Sequence, residues 1–430
     1  MDKIKIIGGN VLNGKINISG AKNAALPLIC ASLLTADEVV LQNVPDLSDV
    51  TFLNGLLQFM GLNVEKKDDV YNGMKATSYV YKADNITGLV APYDYVRKMR
   101  ASYYVLGPLL TRFKHVEFSL PGGCAIGARP IDIHLNSLEQ MGAKIEIKNG
   151  YVIADAPEGL KGTHIIFSKA SVGATCNILM AATLASGTTK IENAAKEPEI
   201  TNLIDLLNAM GAKISGRGTS ILTIEGVEKL KGATHGVVAD RIEAGSYAIA
   251  AAITKGRIEL VNADANYLQQ PLRILEKMGV NVEILENSVI IDGRNKKLVG
   301  EDIYTDYYPG FPTDLQAQFM ALMTVSEGAS LVTETIWENR FMHVPELCRM
   351  GANINIHGSS SAIVRGVEKL SGAPVMATDL RASFALVLAG LVAEGETIVN
   401  RVYHLDRGYE RLEEKLKAVG ANIERIKEAG

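Results

Sequence analysis

Hydrophobic and polar positions follow two regimes along this chain. Short stretches alternate, such as Lys144–Ile147 and Tyr151–Ala154, and read as strands with one covered face. Longer stretches are apolar at nearly every position and rich in alanine and glycine: Lys22–Leu34, Ser171–Ala185, Asp240–Thr254, Asp314–Val325 and Asp379–Ala393. A helix that is apolar all round is predicted to be buried on every side, and its small residues let neighbours pack closely.

A second kind of helix ends each time in one recurring phrase. It reads Met60-Gly61-Leu62-Asn63-Val64, Met141-Gly142-Ala143-Lys144-Ile145 and Met210-Gly211-Ala212-Lys213-Ile214. It returns as Met278-Gly279-Val280-Asn281-Val282, Met350-Gly351-Ala352-Asn353-Ile354 and Val419-Gly420-Ala421-Asn422-Ile423. The glycine reads as a helix stop and the residues after it as a strand. In several copies a second strand follows; Asn149-Gly150 predicts a tight hairpin turn. The period of roughly 70 residues marks a supersecondary repeat rather than a solenoid turn.

The expected unit is β-α-β-α-β-β, six times over. The simplest assembly is an α/β protein of two domains with three units each, buried helices inside and sheets outside. Lys3–Ile18 reads as one strand before the first buried helix. The last unit lacks a partner strand, so this N-terminal strand is expected to return to the C-terminal half. Hinges near Ala21 and near Val237–Asp240 then give one domain of residues 1–21 plus 239–430 and another of 22–238.

Bulk properties narrow the function. A chain of 430 residues exceeds one ordinary core. A net charge of -4 gives no reason to expect nucleic acid. The start, MDKIKIIGGN, lacks a signal-peptide core, and apolar stretches such as Phe384–Ala393 are too short to span a bilayer. The four cysteines lie far apart without metal-type pairing, which fits a reducing cytoplasm. There is no Walker-type loop, dinucleotide fingerprint or metal-ligand cluster, so no cofactor is expected.

Charge gathers where the buried helices start: Lys22-Asn23, Arg97 and Arg100, Lys169 with Ser171-Val172-Gly173, Asp240-Arg241, Asp314 and Asp379-Leu380-Arg381. Arg129, Arg340 and Arg407 lie in the loops before the second helices. If each trio of helices points one way, these ends converge into a cleft for a small, multiply charged anion. Capping and surface ion pairs explain single members of the set. They do not call for Lys or Arg at a helix start.

The stretch Leu120–His134 holds the one cysteine outside an apolar helical context, Cys124, on a glycine-rich loop longer than those at Val44–Ser48, Asn193–Pro198 and Asn262–Tyr267. Arg129 and a helix start, with Pro130 suited to its first turn, favour a thiolate there. Cys30, Cys176 and Cys348 read as packing residues in helices. Cys124 with His134 allows a thiol hydrolase, although no third member stands out. Asp314 is either a helix cap, a role Thr313 could take instead, or a base for a hydroxyl proton. Capping explains Asn23 but not Lys22.

Several longer phrases resemble the bacterial UDP-N-acetylglucosamine enolpyruvyl transferases along essentially the whole chain. They are SGAKNAALP at Ser19–Pro27, MRAS at Met99–Ser102, PGGCAIGARPIDIH at Pro121–His134 and SVGAT at Ser171–Thr175. FPTDLQAQ at Phe311–Gln318, ENRFMHVPEL at Glu338–Leu347, ATDLRAS at Ala377–Ser383 and HLDRGYERLE at His404–Glu413 complete the set. The resemblance implies two inside-out α/β barrel domains with substrates bound between them. It implies transfer of the enolpyruvyl group of phosphoenolpyruvate to the 3′-hydroxyl of UDP-N-acetylglucosamine, with phosphate released. The course would be addition and elimination through a tetrahedral phospho-ketal, at the first committed step of peptidoglycan precursor synthesis.

By the same resemblance Cys124 is, or assists, the acid that protonates the vinyl methylene. Asp314 is the base, and Lys22, Arg129 and Arg407 hold phosphoenolpyruvate with Arg100, Arg340 and Arg381 near them. The nucleotide sugar is expected along Asn23, Arg129, Pro130, Ile131, Asp132, Ile133, Lys169, Ala170, Ser171, Val172, Asp314 and Ile336. Cysteine at position 124 implies alkylation by fosfomycin. The rivals are a transferase acting on shikimate 3-phosphate and a non-catalytic nucleotide-sugar-binding paralogue. The first carries Lys-Ser where this chain has Lys22-Asn23.

Overall fold

The glycine of the recurring phrase is left-handed in all six copies, with φ of +101° at Gly61, +98° at Gly142, +102° at Gly211, +97° at Gly279, +95° at Gly351 and +106° at Gly420. A side chain is strained there, so glycine ends the helix and turns the chain into a strand. Ser48–Phe59 thus passes into Asn63–Tyr71, and Pro198–Ala209 into Lys213–Ser215. The predicted hairpin between Lys144–Lys148 and Tyr151–Asp155 turns on Asn149 and Gly150, both at positive φ.

The computed structural model describes residues 2–97, 99–120, 131–294 and 297–427, and only the backbone of Arg100. Cys124, Arg129 and Pro130, and the reading of their loop, lie outside these residues. The described strands form six four-stranded sheets. Each has one parallel and two antiparallel pairings; Glu38–Gln42, for example, runs parallel to Thr234–Gly236 and antiparallel to Met74–Lys82, which also pairs with Asn63–Tyr71. Along the inner strands one side chain in two is buried, as in Tyr151–Asp155 and Thr188–Glu192, so each of these sheets covers helices with one face. No sheet among the described residues closes into a barrel; the architecture is two-domain α/β, with separate sheets outside.

Lys3–Ile18 is two strands, not one. Gly8 sits where a Cβ would meet Ala393 O at 2.3 Å, and Gly9 has φ +99°, so the alternating pattern breaks at this pair. Lys3–Ile7 lies antiparallel between Glu396–Asn400 and Asn422–Ile426, in the sheet of the sixth repeat. Asn13–Asn17 runs parallel to Arg257–Val261 in the fourth. The strand after the third repeat, Thr234–Gly236, joins the sheet of the first. The first, fourth and sixth repeats thus each take a strand from elsewhere in the chain.

Among the described residues two compact units result, one drawn from residues 2–19 and 239–427, the other from 20–120 and 131–238. Each has its own core of buried side chains. The inner helices of the first unit are Arg241–Ile253, Gln316–Met323 and Ala382–Val392, which pack on one another in all three combinations. Those of the second are Lys22–Ala31, Leu106–Phe113 and Val172–Ala182. A Cβ at Gly107 would lie 2.3 Å from Asn177 O, and one at Gly245 2.5 Å from Leu315 Cδ1, so glycine permits these close approaches.

Two expectations change. Arg97 is not at an inner helix start: it is exposed, paired with Asp94 at 3.1 Å and set over the Tyr93 ring, while the inner helix of that repeat begins at Leu106 after the tight turn Arg100–Val105. Cys30 and Cys176 are buried as packing residues, but Cys348 is exposed, since the helix Val344–Arg349 buries only Val344 and Leu347. Among the described residues no helix is long and apolar enough to cross a membrane.

Candidate active site

In the unit that holds the C-terminal half, neither Asp314 nor Thr313 caps a helix. A 3-10 turn, Thr313–Leu315, leads into Gln316–Met323, whose N-cap is Leu315. Thr313 Oγ1 donates to Glu334 Oε2 at 2.9 Å. Asp314 instead faces two guanidinium groups: Arg340 Nη2 donates to Oδ1 at 2.7 Å, and Arg381 Nε lies 3.5 Å from Oδ2. Both arginines are buried, at 4% and 3% side-chain exposure, while Asp314 keeps 28%. A carboxylate that is reachable yet fixed by two buried guanidinium groups has the geometry to accept a proton from a bound hydroxyl.

Arg381 is the hub of this cluster. Asp379 Oδ1 accepts from the backbone N–H of Arg381 at 2.8 Å and of Ala382 at 2.9 Å, fixing the start of Ala382–Val392. The Arg381 guanidinium lies 3.6 Å from Asp240 Oδ2 and its Cζ is 5.4 Å from the Tyr409 ring centre. Burial disfavours its charge, but Asp240, Tyr409 and Asp314 outweigh that and hold it above the usual range. Asp240 also caps Arg241–Ile253, accepting from Ile242 and Glu243 N–H. Ile336 sits in a turn held by Glu334 Oε1, which accepts from the N–H of Ile336 and of Trp337. Arg407 ends the turn Val402–Arg407, half-buried, and its charge lowers the pKa of His404, whose burial acts the same way and more strongly.

The other unit carries the second set. Lys22 is the first residue of Lys22–Ala31, and the N-cap is Ala21 with no side-chain cap, so Asn23 lies inside the helix and does not cap it. Lys22 Nζ is 3.2 Å from Asp49 Oδ2, with 8% and 2% side-chain exposure. A cation at a helix N-terminus opposes the dipole, and the buried carboxylate compensates. Ser171 caps Val172–Ala182 by accepting from Ala174 N–H at 3.3 Å, with Ala170 beside it and Lys169 exposed. Ile131 is the N-cap of Asp132–Gln140; Ile131 and Ile133 are buried and Asp132 is exposed.

His134 is locked into this unit's core. Its Nδ1 is 2.9 Å from Asn177 Nδ2, and its ring meets Tyr103 edge-on with centres 4.9 Å apart. Burial pushes its pKa down to about 4, against the opposing charge of Asp132. It therefore reads as a neutral packing residue, which removes the second member of the thiol-hydrolase alternative. Asp49 and Tyr409 escaped the sequence reading. Asp49 looks like an ordinary first-turn acid, and Tyr409 sits within a quoted motif with nothing local to mark its role. Among the described residues no group of three His, Cys, Asp or Glu is placed to hold a metal ion.

Comparison with known proteins places these residues in context. Residues 6–416 match the family described as EPSP synthase (3-phosphoshikimate 1-carboxyvinyltransferase). The chain is 59% identical to the UDP-N-acetylglucosamine 1-carboxyvinyltransferase of Paramagnetospirillum magneticum, covering 100% of this chain and 99% of the relative. It is 58% identical to the protein of the same name in Granulibacter bethesdensis, covering 99% and 100%. Among solved structures, the enolpyruvyl transferase NikO from Streptomyces tendae superposes with a TM-score of 0.87 at 23% identity, covering 100% of this chain and 99% of that one. EPSP synthase from Acinetobacter baumannii gives a TM-score of 0.75 at 18% identity, covering 99% and 100%. At these identities the two structures show a common fold.

Proposed function

The chain belongs to the UDP-N-acetylglucosamine 1-carboxyvinyltransferases, within the EPSP synthase family, and is an enolpyruvyl-transferring enzyme; from that membership we propose which residues carry the reaction. The substrates are phosphoenolpyruvate and UDP-N-acetylglucosamine, and the sugar 3′-hydroxyl gains the enolpyruvyl group as phosphate leaves. The observation that carries the reading is the grip of Arg340 and Arg381 on a partly exposed Asp314 carboxylate.

Asp314 takes the proton of the attacking hydroxyl, and its two arginines hold it in place until then. Cys124 delivers or assists delivery of a proton to the vinyl methylene. Lys22, Arg129 and Arg407, with Arg100 nearby, neutralise the phosphate and carboxylate of phosphoenolpyruvate as charge reorganises. Asn23, Arg129 to Ile133, Lys169 to Val172 and Ile336 line the path of the nucleotide sugar. Water excluded from the site cannot intercept the cationic intermediate that precedes the tetrahedral phospho-ketal. The reaction supplies peptidoglycan precursors, is cytoplasmic, and is blocked by fosfomycin through alkylation of Cys124.

Substitution at the two proton-handling positions tests this reading. Asp314→Asn is expected to lower kcat by roughly a hundredfold or more. Cys124→Ser should lose turnover, while Cys124→Asp should stay active and ignore fosfomycin. Full activity in Cys124→Ser, or in Asp314→Asn, would contradict the assigned role.

A further inference from the structure

We propose that Tyr409 is a positioning residue for Asp314, acting on its side chain through Arg381 and on its backbone through Gln318. This rests on the reading of Asp314 as the base.

Tyr409 is 2% exposed and lies two residues beyond Arg407. Its hydroxyl accepts from Gln318 Nε2 at 3.0 Å and shares a hydrogen bond of 2.9 Å with Ser246 Oγ. Gln318 belongs to the inner helix Gln316–Met323, and Ser246 to the inner helix Arg241–Ile253. Its ring packs on Phe384 of the third inner helix, with centres 4.5 Å apart, and faces the Arg381 guanidinium at 5.4 Å. One side chain from a loop thus touches all three inner helices of its unit within their first two turns. Burial keeps the hydroxyl protonated, so it stays a hydrogen-bonding group at neutral pH.

Two paths run from this plug to Asp314. Gln318 Nε2, bonded to the Tyr409 hydroxyl, also donates to the Asp314 carbonyl at 3.0 Å. Arg381, confined by the Tyr409 ring on one side and by Gly408 O at 3.4 Å, reaches the Asp314 carboxylate at 3.5 Å. The Arg381 ion pairs, at 3.5 and 3.6 Å, are long, so the aromatic wall does much of the confinement. Among the described residues, the charged and titratable groups around the pair are Arg340 on Asp314, Asp240, Asp379 and Tyr409 on Arg381, and Glu334 behind Thr313.

The test compares Tyr409→Leu, Tyr409→Phe and Asp314→Asn by steady-state kinetics across pH. Tyr409→Leu frees Arg381 to leave Asp314, so kcat should fall roughly tenfold, a loss on the scale of one aromatic–cation contact. KM for the nucleotide sugar should change by less than about twofold. The acid limb of kcat/KM should move upward, because a carboxylate with a more distant cation protonates more readily. Tyr409→Phe keeps the ring against Arg381 and should restore the limb and most of kcat. If Tyr409→Leu does not fold, Gln318→Met decides; it removes the donor to both the hydroxyl and the Asp314 carbonyl, and kcat should fall with KM held. An unshifted limb and unchanged kcat in Tyr409→Leu, or unchanged kcat in Gln318→Met, would overturn the inference. Such a result beside an inactive Asp314→Asn would leave the base assignment standing; an active Asp314→Asn would overturn both.

Discussion

At the scale of single residues, three burial states lead to three different expectations. Lys22 and Asp49 form a buried pair, so Lys22→Met removes a cation from beside a buried carboxylate and should cost about 3 kcal/mol of stability, read from urea unfolding. Adding Asp49→Leu should recover most of that stability without recovering turnover. A double variant as unstable as the single one would contradict the pairing. His134 is held neutral with a pKa near 4, below the usual value of 6.5. The unfolded chain takes up its proton first as pH falls. The stabilisation from His134 is therefore complete above about pH 6.5 and is lost toward pH 4, on the order of 3 kcal/mol. Replacing it with glutamine should flatten the stability-versus-pH curve in that window, and an unchanged slope would exclude the assignment. Among the described cysteines, burial raises the thiol pKa of Cys30 and Cys176, while Cys348 is exposed. Brief alkylation of the native protein should modify Cys348 and spare the other two; the mass of the tryptic peptides reports it.

Elements were legible where the pattern was local. The recurring Met-Gly phrase foretold a helix stop, and the left-handed glycine appears in every copy. Gly142→Ala should therefore cost about 1 kcal/mol, because nothing lies within 4 Å of the added Cβ and only the backbone strain remains. Gly61→Ala should cost more, since its Cβ would lie 2.4 Å from Asn85 O. Equal midpoints for the two variants in urea would contradict this. The N-terminal stretch was less legible. Its two halves serve different sheets, and that choice depends on partners some 400 residues away for Lys3–Ile7 and some 240 away for Asn13–Asn17. Likewise the Asp314 and Asn23 positions looked like caps, yet the N-caps are Leu315 and Ala21, and Asp314 pairs with arginines instead.

For the molecule as a whole, charge placement indicated a site for a small, multiply charged anion, and the reaction came from the resemblance of the longer motifs. An acidic chain that concentrates arginine and lysine at helix starts needs an anion to justify them. Lys22, Arg340 and Arg381 prove to be buried and ion-paired rather than solvated. The carboxylates that hold them, Asp49, Asp314 and Asp240, could not be matched to their cations from spacing alone, because each pair joins separate segments of the chain. The central claim is that phosphoenolpyruvate loses its phosphate only when a nucleotide sugar accepts the enolpyruvyl group. The most direct measurement is phosphate release from phosphoenolpyruvate, with UDP-N-acetylglucosamine present, absent, or replaced by shikimate 3-phosphate. Release only with UDP-N-acetylglucosamine is the expected result. Release without any acceptor, release with shikimate 3-phosphate instead, or no release at all would contradict it.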